Sequence, residues 1–310
     1  MKETKYSKAD LHIHTNVSDG VLSPDELLRM VKNSGISVIA VTDHDSVAAL
    51  DTIHRRAERF SIQTVSGVEL STEFNGKELH FLGYCIEHHS KRFLDYLYLF
   101  RRRRYQCAQE IVEKLWKSGI RIKLEQVVRI AGNGPIGRPH IADVMTENGW
   151  TASRDEAFSK YLYNGGPFYV EKYCITAPEV LDLIHSIGGA VFLAHPGISC
   201  PDETIKELIP LGLDGIEIIH PKHTAEMVAH YTAAADELSL LISGGSDFHG
   251  DSPDEPQIGE YAINSRYVEE IASYCERKRS EWNIQIDTEE ETDIPDDETK
   301  ESSEYELNND

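Results

Sequence analysis

Histidines and carboxylates in this 310-residue chain gather at the ends of short apolar runs. His12 and His14 close ADLHIH (9–14), and Asp19 follows in the next loop. Asp43 and His44 close ISVIAVTDH (36–44), Glu69 lies at the end of IQTVSGVEL (62–70), and His80 sits in ELHFLGYCI (78–86). His195 closes GAVFLAH (189–195) and His220 closes DGIEIIH (214–220). Asp247 and His249 end and follow LLISGGSD (240–247). One histidine at a strand end is ordinarily a core residue with its hydrogen bonds satisfied. So many imidazoles, with Asp19, Glu69 and Asp247 at the same ends, are hard to assign to packing. A His/Asp/Glu set without thiolates suits zinc, manganese or iron rather than calcium or a structural zinc. On a strand, residues two apart share a face, so both rings of His-x-His can reach one ion.

The elements that must position these groups are legible as patterns. The seven runs read as buried strands, several of them apolar almost throughout, as parallel strands covered on both faces are. Ser23-Pro24-Asp25-Glu26 and Thr176-Ala177-Pro178-Glu179 are helix starts, with proline and acids in the first turn. Asn75-Gly76 predicts a hairpin between the third and fourth strands. Together they predict an α/β fold, a small irregular seven-stranded β/α barrel whose strands converge at their C-terminal face. Residues 92–175 form a predicted helical insertion capping one end, with Leu97, Phe100, Ala108, Ile111 and Leu115 on one face of its first helix. The barrel is then discontinuous, 8–91 and 176–285.

The formal net charge is −22, from 53 acidic and 31 basic residues. Twelve acids and one lysine between Asp287 and Asp310 supply half of it. Such a segment cannot bury enough apolar surface to fold alone, so 286–310 reads as a disordered, solubilising tail. The five cysteines are scattered and never in a CxxC pair, which argues against a disulfide framework. The sequence has no apolar run of about 18 residues and its start has no signal-peptide core. A reducing cytoplasm is the expected compartment, with no membrane partner.

DLHIHTNVSDG (10–20), VTDHD (41–45), GVELS (67–71), His80, LAHPG (193–197) and GSDFHG (245–250), in that order, resemble the PHP (polymerase and histidinol phosphatase) metal-dependent phosphoesterases. The resemblance covers residues 9 to about 265. It extends to a stand-alone branch with a helical insertion before LAHPG, which includes nucleoside 3′,5′-bisphosphate phosphatases and 5′-to-3′ exoribonucleases of the RNase AM type. It implies two to three divalent ions, manganese first and zinc or iron as alternatives. His12, His14, Glu69 and Asp247 would hold one ion, and Asp19, His44 and His249 a second. Glu69 would bridge to a third, completed by His80 and His195. The implied activity is hydrolysis of a nucleotide phosphoester, a 3′,5′-bisphosphonucleotide or a short 5′-phosphorylated RNA, by a metal-activated hydroxide. Three such ions against three carboxylates leave roughly +3 locally, so an acidic chain can still hold an anion.

Further residues point to the substrate. In GNGPIGRPHIADVM (132–145), glycines before a helix start offer N–H groups to an anion, and Arg138 and His140 add side-chain donors. The family branch resembled also has Arg-Pro-His at this place. Arg104 falls within the apolar stripe of its helix, so it needs an anionic partner: a core carboxylate or a substrate phosphate. His220 and His223 are candidates to protonate the leaving alkoxide, although plain strand-end and helix-start roles account for them equally. Tyr161, Tyr163, Phe168 and Tyr169 are candidates for a base platform. The competing functions are a histidinol-phosphatase-like small-molecule phosphatase, a metal-dependent amidohydrolase and a non-catalytic metal-binding module. The complete ligand set argues against the last, and Arg138 favours an anionic substrate over an amide. No stable binding of double-stranded nucleic acid is expected.

Overall fold

A computed structural model of the chain describes residues 7–132, 134–163, 165–170, 175–250 and 256–282. Among them are nine strands: β1 (Lys8–Ile13), β2 (Val38–Val41), β3 (Gln63–Phe74), β4 (Lys77–Tyr84), β5 (Ile175–Thr176), β6 (Ala190–Leu193), β7 (Gly215–Ile219), β8 (Leu241–Gly244) and β9 (Ile263–Asn264). The seven expected strands are β1 to β4 and β6 to β8. The two extra ones are two residues long, too short to leave a hydrophobic pattern. The α-helices are α1 (Pro24–Ser34), α2 (Leu50–Ala57), α3 (Lys91–Lys117), α4 (Leu124–Ala131), α5 (Arg138–Glu147), α6 (Arg154–Ala157), α7 (Ala177–Ser186), α8 (Pro196–Ser199), α9 (Asp202–Leu208), α10 (Ala225–Leu238) and α11 (Arg266–Trp282). The expected acidic tail lies outside the described residues, as do positions 171–174 of the return to the barrel.

The strand order is β8-β7-β6-β4-β3-β2-β1-β9, with β5 beside β3. Beyond β8 a parallel bridge joins Phe248 to Ile13. There the His14 N–H donates to the Phe248 carbonyl at 2.9 Å, so the sheet nearly closes into a barrel. Asn75 and Gly76 both have positive φ, 51° and 75°, as a two-residue primed turn between twisted strands requires. The resulting β4 runs antiparallel to both β3 and β6. It therefore delivers His80 to the site from its first half, opposite Ser71. Most other site residues lie one to five positions past their strands, because β1, β2, β6, β7 and β8 end at Ile13, Val41, Leu193, Ile219 and Gly244.

Helix starts follow the predicted signals. Ser23 and Glu26 form a reciprocal cap on α1, and Thr176 and Glu179 do the same on α7. α3 spans about 40 Å at 1.5 Å per residue. Its Phe93, Leu97 and Phe100 belong to the main barrel core. Its Ala108, Ile111, Val112 and Leu115 belong to a second cluster with Val127, Ile141, Val144, Met145 and Leu162. One helix is thus shared between two apolar cores, which ties the helical layer to the barrel. Among the described residues no helix is long and apolar enough to cross a membrane.

Gly215 shows how tightly the barrel is packed. A Cβ there would overlap the Phe192 ring and approach the Leu241 carbonyl to 2.7 Å. Gly215→Ala is expected to cost about 1–3 kcal/mol by overpacking. Denaturant unfolding measures it, and an unchanged midpoint would show that β7 shifts freely.

Candidate metal centre

Three sets of donor atoms, each within 4.8 Å of one another, converge at this end of the barrel. The first is His12, His14, Glu69 and Asp247; the second is His14, Asp19, His44 and His249; the third is His44, Glu69 and His80. His195 joins the third, its Nε2 3.3 Å from the same Glu69 Oε1 that His80 Nδ1 approaches at 2.8 Å. The nine side chains expected as ligands are therefore brought together. The grouping differs from the one implied by resemblance in one respect: His14 and His44 each belong to two sets.

Most of these groups are out of water. His12, His14 and Glu69 are buried, while Asp19 is 42 % exposed at the edge of the cluster. Among the described residues, both ring nitrogens of His14 and Nδ1 of His44 are buried without a hydrogen-bond partner. Yet His14 Nε2 lies 3.2 Å from Glu69 Oε2 and 3.3 Å from Asp247 Oδ1. Donor atoms at these separations with no hydrogen-bond geometry are what ligands sharing a cation look like, so the residues present fit divalent metals.

Without metals the charges redistribute. Burial alone would lower His14, but Asp247 and Glu69 outweigh it and push it up to about 10. His80, also opposed by burial, is pushed up to about 9, chiefly by Glu69. His44 goes the other way, because burial takes it down to about 3 despite Glu69 and Asp19. Burial would raise Asp19, Glu69 and Asp247, but the surrounding imidazoles hold all three below the usual carboxylate range.

Around the ligands lies a layer of carboxylates that sequence reading left without a role. Buried Glu217 in β7 accepts from His12 Nδ1 at 2.9 Å and from the His195 backbone N–H at 2.8 Å. The Nε2 lone pair of His12 is thereby turned toward Glu69 and Asp247. Glu217 also adds a fourth negative charge to the three counted at the sequence level. Asp10 accepts from the backbone of Ser246 and Gly259, tying β1 to the loop that carries Asp247. Asp43 accepts from Thr15 N–H, Thr15 Oγ1 and Ser18 Oγ, each at 2.7 Å, and so fixes the loop leading to Asp19. A carboxylate amid the isoleucines of GIEII was the available signal for Glu217. A strand covered on both faces can place it only among polar partners.

The two candidates for the leaving-group proton, His220 and His223, are both held by hydrogen bonds within the protein. His220 is buried, accepts from the Lys222 N–H at Nδ1 and presents Nε2 to Asp247 Oδ2 at 3.2 Å. His223 donates from Nδ1 to the Ile218 carbonyl and accepts at Nε2 from the Gly197 N–H. Their ring nitrogens all have partners inside the protein, His220 reaching Asp247 and His223 reaching the turn after His195.

A cavity of about 560 Å³ opens beside the cluster. Asp19, His44 and His80 form one wall; Arg104, Arg138 and His140 face it from the helical layer, and Ile111, Ile136, Phe158 and Tyr169 make it apolar. Arg104 Nη2 pairs with buried Asp45 at 2.7 Å, while its Nε is buried without a hydrogen-bond partner among the described residues. It therefore satisfies a core carboxylate and lines the cavity at once. Arg138 Nη1 donates to the Leu162 carbonyl. His140 Nδ1 accepts from the Gly137 N–H, so its other nitrogen carries the proton. The expected glycine cradle is corrected: Gly132, Gly134 and Gly137 donate their N–H groups to Val128, Ala131 and His140. What Gly134 contributes is closeness, since a Cβ there would collide with the Ser18 carbonyl. Of the four candidate aromatics Tyr169 lines the cavity, whereas Tyr161 and Phe168 pack on the helical core and Tyr163 is exposed.

Ligand-type side chains gathered beside a cavity lined by two guanidinium groups, on a mixed barrel, have the arrangement of a metal-dependent phosphoesterase. The PHP domain model matches residues 10–163. A 5′-3′ exoribonuclease, Rnm, of Escherichia coli is 33 % identical over 261 residues, covering 82 % of this chain and 89 % of its own. A 3′,5′-nucleoside bisphosphate phosphatase of Chromobacterium violaceum is 28 % identical, covering 81 % and 90 %. A Bifidobacterium adolescentis crystal structure, described as a metal-dependent phosphoesterase, superposes with a TM-score of 0.74 at 27 % identity, covering 86 % of this chain and 95 % of its own. The chain belongs to the PHP family.

Two outcomes are expected. A histidine with a raised folded-state pKa stabilises the metal-free fold below its unfolded value, about 6.5, and that contribution is lost as pH rises through the folded value. Chelator-treated protein should therefore lose thermal stability as pH climbs past 6.5 toward the raised values of about 9 for His80 and about 10 for His14. Over the same range the advantage of manganese-loaded protein should widen, because binding needs these rings deprotonated. Differential scanning calorimetry decides it, and a metal-free midpoint independent of pH would refute it. Glu217→Gln should weaken metal binding about 10- to 100-fold, read from the manganese dependence of activity. Unchanged dependence would remove Glu217 from the centre.

Proposed function

We propose that the protein hydrolyses phosphoesters of nucleotides, releasing a nucleotide or phosphate from the end of a short 5′-phosphorylated RNA or from a nucleoside 3′,5′-bisphosphate. The observation that carries this is the cavity itself. It joins the metal ligands at one side to two guanidinium groups and an apolar wall at the other, in a volume suited to about one nucleotide. The names of the exoribonuclease and bisphosphate phosphatase relatives support the same class.

We assign two to three divalent ions to the donor sets of His12, His14, Asp19, His44, Glu69, His80, His195, Asp247 and His249, with manganese first and zinc or iron as alternatives. Bound there, such ions supply a water acidic enough to attack near neutral pH and positive charge for the phosphate oxygens. Arg138, Arg104 and the His140 Nε2–H bind the remaining phosphate oxygens from the opposite wall. Ile111, Ile136, Phe158 and Tyr169 exclude water and receive the base or sugar. Asp45 fixes the Arg104 guanidinium and thereby its angle of approach. The boundaries of the helical insertion, 92–175, are read as those of the unit that closes over the substrate.

The test is phosphate release from adenosine 3′,5′-bisphosphate beside nucleotide release from a 5′-phosphorylated oligoribonucleotide, with manganese present. Turnover of at least one is expected, abolished in His12→Ala and Asp247→Ala. Arg138→Met should raise KM about tenfold or more, the loss of a charge-assisted hydrogen bond. Arg104→Met should both destabilise the fold, by removing the cation paired with buried Asp45, and raise KM. Loss of stability with an unchanged KM in the folded fraction would leave Arg104 structural. Failure to turn over either substrate with metal bound would sink the nucleotide assignment.

A further inference from the structure

A second group of ligand-type side chains shares no residue with the metal centre. Asp51 and His54 lie three apart in α2 and so share a helix face. After β4 the chain runs through Glu87, His88 and His89 into Ser90, the N-cap of α3. His88 Nε2 is 3.0 Å from Asp51 Oδ1, and His89 Nε2 is 3.1 Å from the same oxygen. The two imidazole rings are 4.2 Å apart. Donor atoms of the three residues all lie within 4.8 Å of one another. The His54 ring stands 5.4 Å from His88, its Nδ1 held by Thr64 Oγ1 at 2.6 Å.

We propose that Asp51, His88 and His89 form a separate metal site, for a divalent transition ion of the zinc class, which clips the root of α3 to α2. Two imidazoles compete for one carboxylate oxygen, and as exposed ion pairs they are worth little. An ion about 2.0–2.1 Å from each donor satisfies all three at once. Two nitrogens and one carboxylate without a thiolate select zinc, nickel or copper over magnesium and calcium, which take oxygen ligands. Asp51 and His89 are 62 % and 63 % exposed, so the ion enters from solvent and keeps water in its open positions. His54, the nearest further imidazole, stands with its ring 5.4 Å from that of His88, close enough to supply a fourth position. The clip acts on an element that matters: about three turns along α3, Arg101 and Arg104 reach Ser46 and Asp45 in the loop after His44. An ion at the root of α3 stiffens the helix that carries these contacts.

The experiment uses full-length protein preloaded with manganese and then dialysed against buffered low-micromolar zinc. Zinc content is measured in wild type and in the double variant Asp51→Asn/His88→Gln. In parallel, carbethoxylation of His89 by diethyl pyrocarbonate is quantified by mass spectrometry with and without zinc. Wild type is expected to retain one equivalent more zinc than the variant. Labelling of its His89 should fall several-fold with zinc, and labelling in the variant should not. Equal zinc content, or labelling of wild-type His89 indifferent to zinc, overturns the proposal. Manganese-dependent phosphoester hydrolysis of the variant should match wild type, which confirms its fold and separates this outcome from the reading of the catalytic substrate.

Discussion

Glu69 is buried, and five imidazoles approach its two oxygens within 3.3 Å: His12, His14, His44, His80 and His195. A carboxylate offers about four lone-pair sites, and five imidazoles, two of them fully buried, cannot all carry the protons needed to fill them. Burying charge without full compensation is costly, so this arrangement is tolerable only where cations replace protons. Ser71 N–H bonding to Asp45, the hairpin that brings His80 opposite Ser71, and the bridge that seats Phe248 beside Ile13 all serve to bring ligands from distant segments to this one group.

Holding them there has a cost in backbone conformation. His195 and Asp247, with φ of 32° and 49°, adopt left-handed conformations that ordinary residues avoid. Asp45, directly after His44, does so as well. Strain of this kind persists where the surroundings over-determine it. Here Glu217 holds the His195 N–H, His220 holds the Asp247 carboxylate, and Asp45 is fixed by both Ser71 and Arg104. Each strained residue therefore has a buried polar partner, and the ligand geometry is set before any ion arrives.

This division explains what the sequence could and could not disclose. The convergence of His12, His14, His44 and Asp247 was legible because so many histidines and acids at the ends of apolar runs are hard to assign to packing. The hairpin was legible because Asn-Gly has a narrow conformational use. Glu217 was not, because its single charge interrupts a strand without changing its pattern. The partner of His220 was not legible, since a strand-end histidine looks the same in sequence whether it faces a substrate or a carboxylate such as Asp247. The glycines of GNGPIG also have two uses, as anion cradle or as close contact, and only the hydrogen bonds of Gly134 and Gly137 tell them apart. β5 and β9 lacked the length to register.

The remaining question is how a chain of formal charge −22 receives an anion. Surface charges act through water and salt and fade over about 8–10 Å. Charges on the cavity wall act across a short, partly apolar gap and are screened far less. Arg104 illustrates the difference. It is mostly buried, it already pairs with Asp45, and Phe100 lies under its guanidinium with the ring centre 4.7 Å away. A cation held so rigidly loses little entropy when a phosphate arrives, unlike a surface lysine that must first be ordered. Because Asp45 follows His44 directly, the Arg104–Asp45 pair also bears on the loop that carries His44. The cavity wall and the histidine cluster thus share one ion pair, and α3, packed into both apolar cores, is the rigid member that joins them.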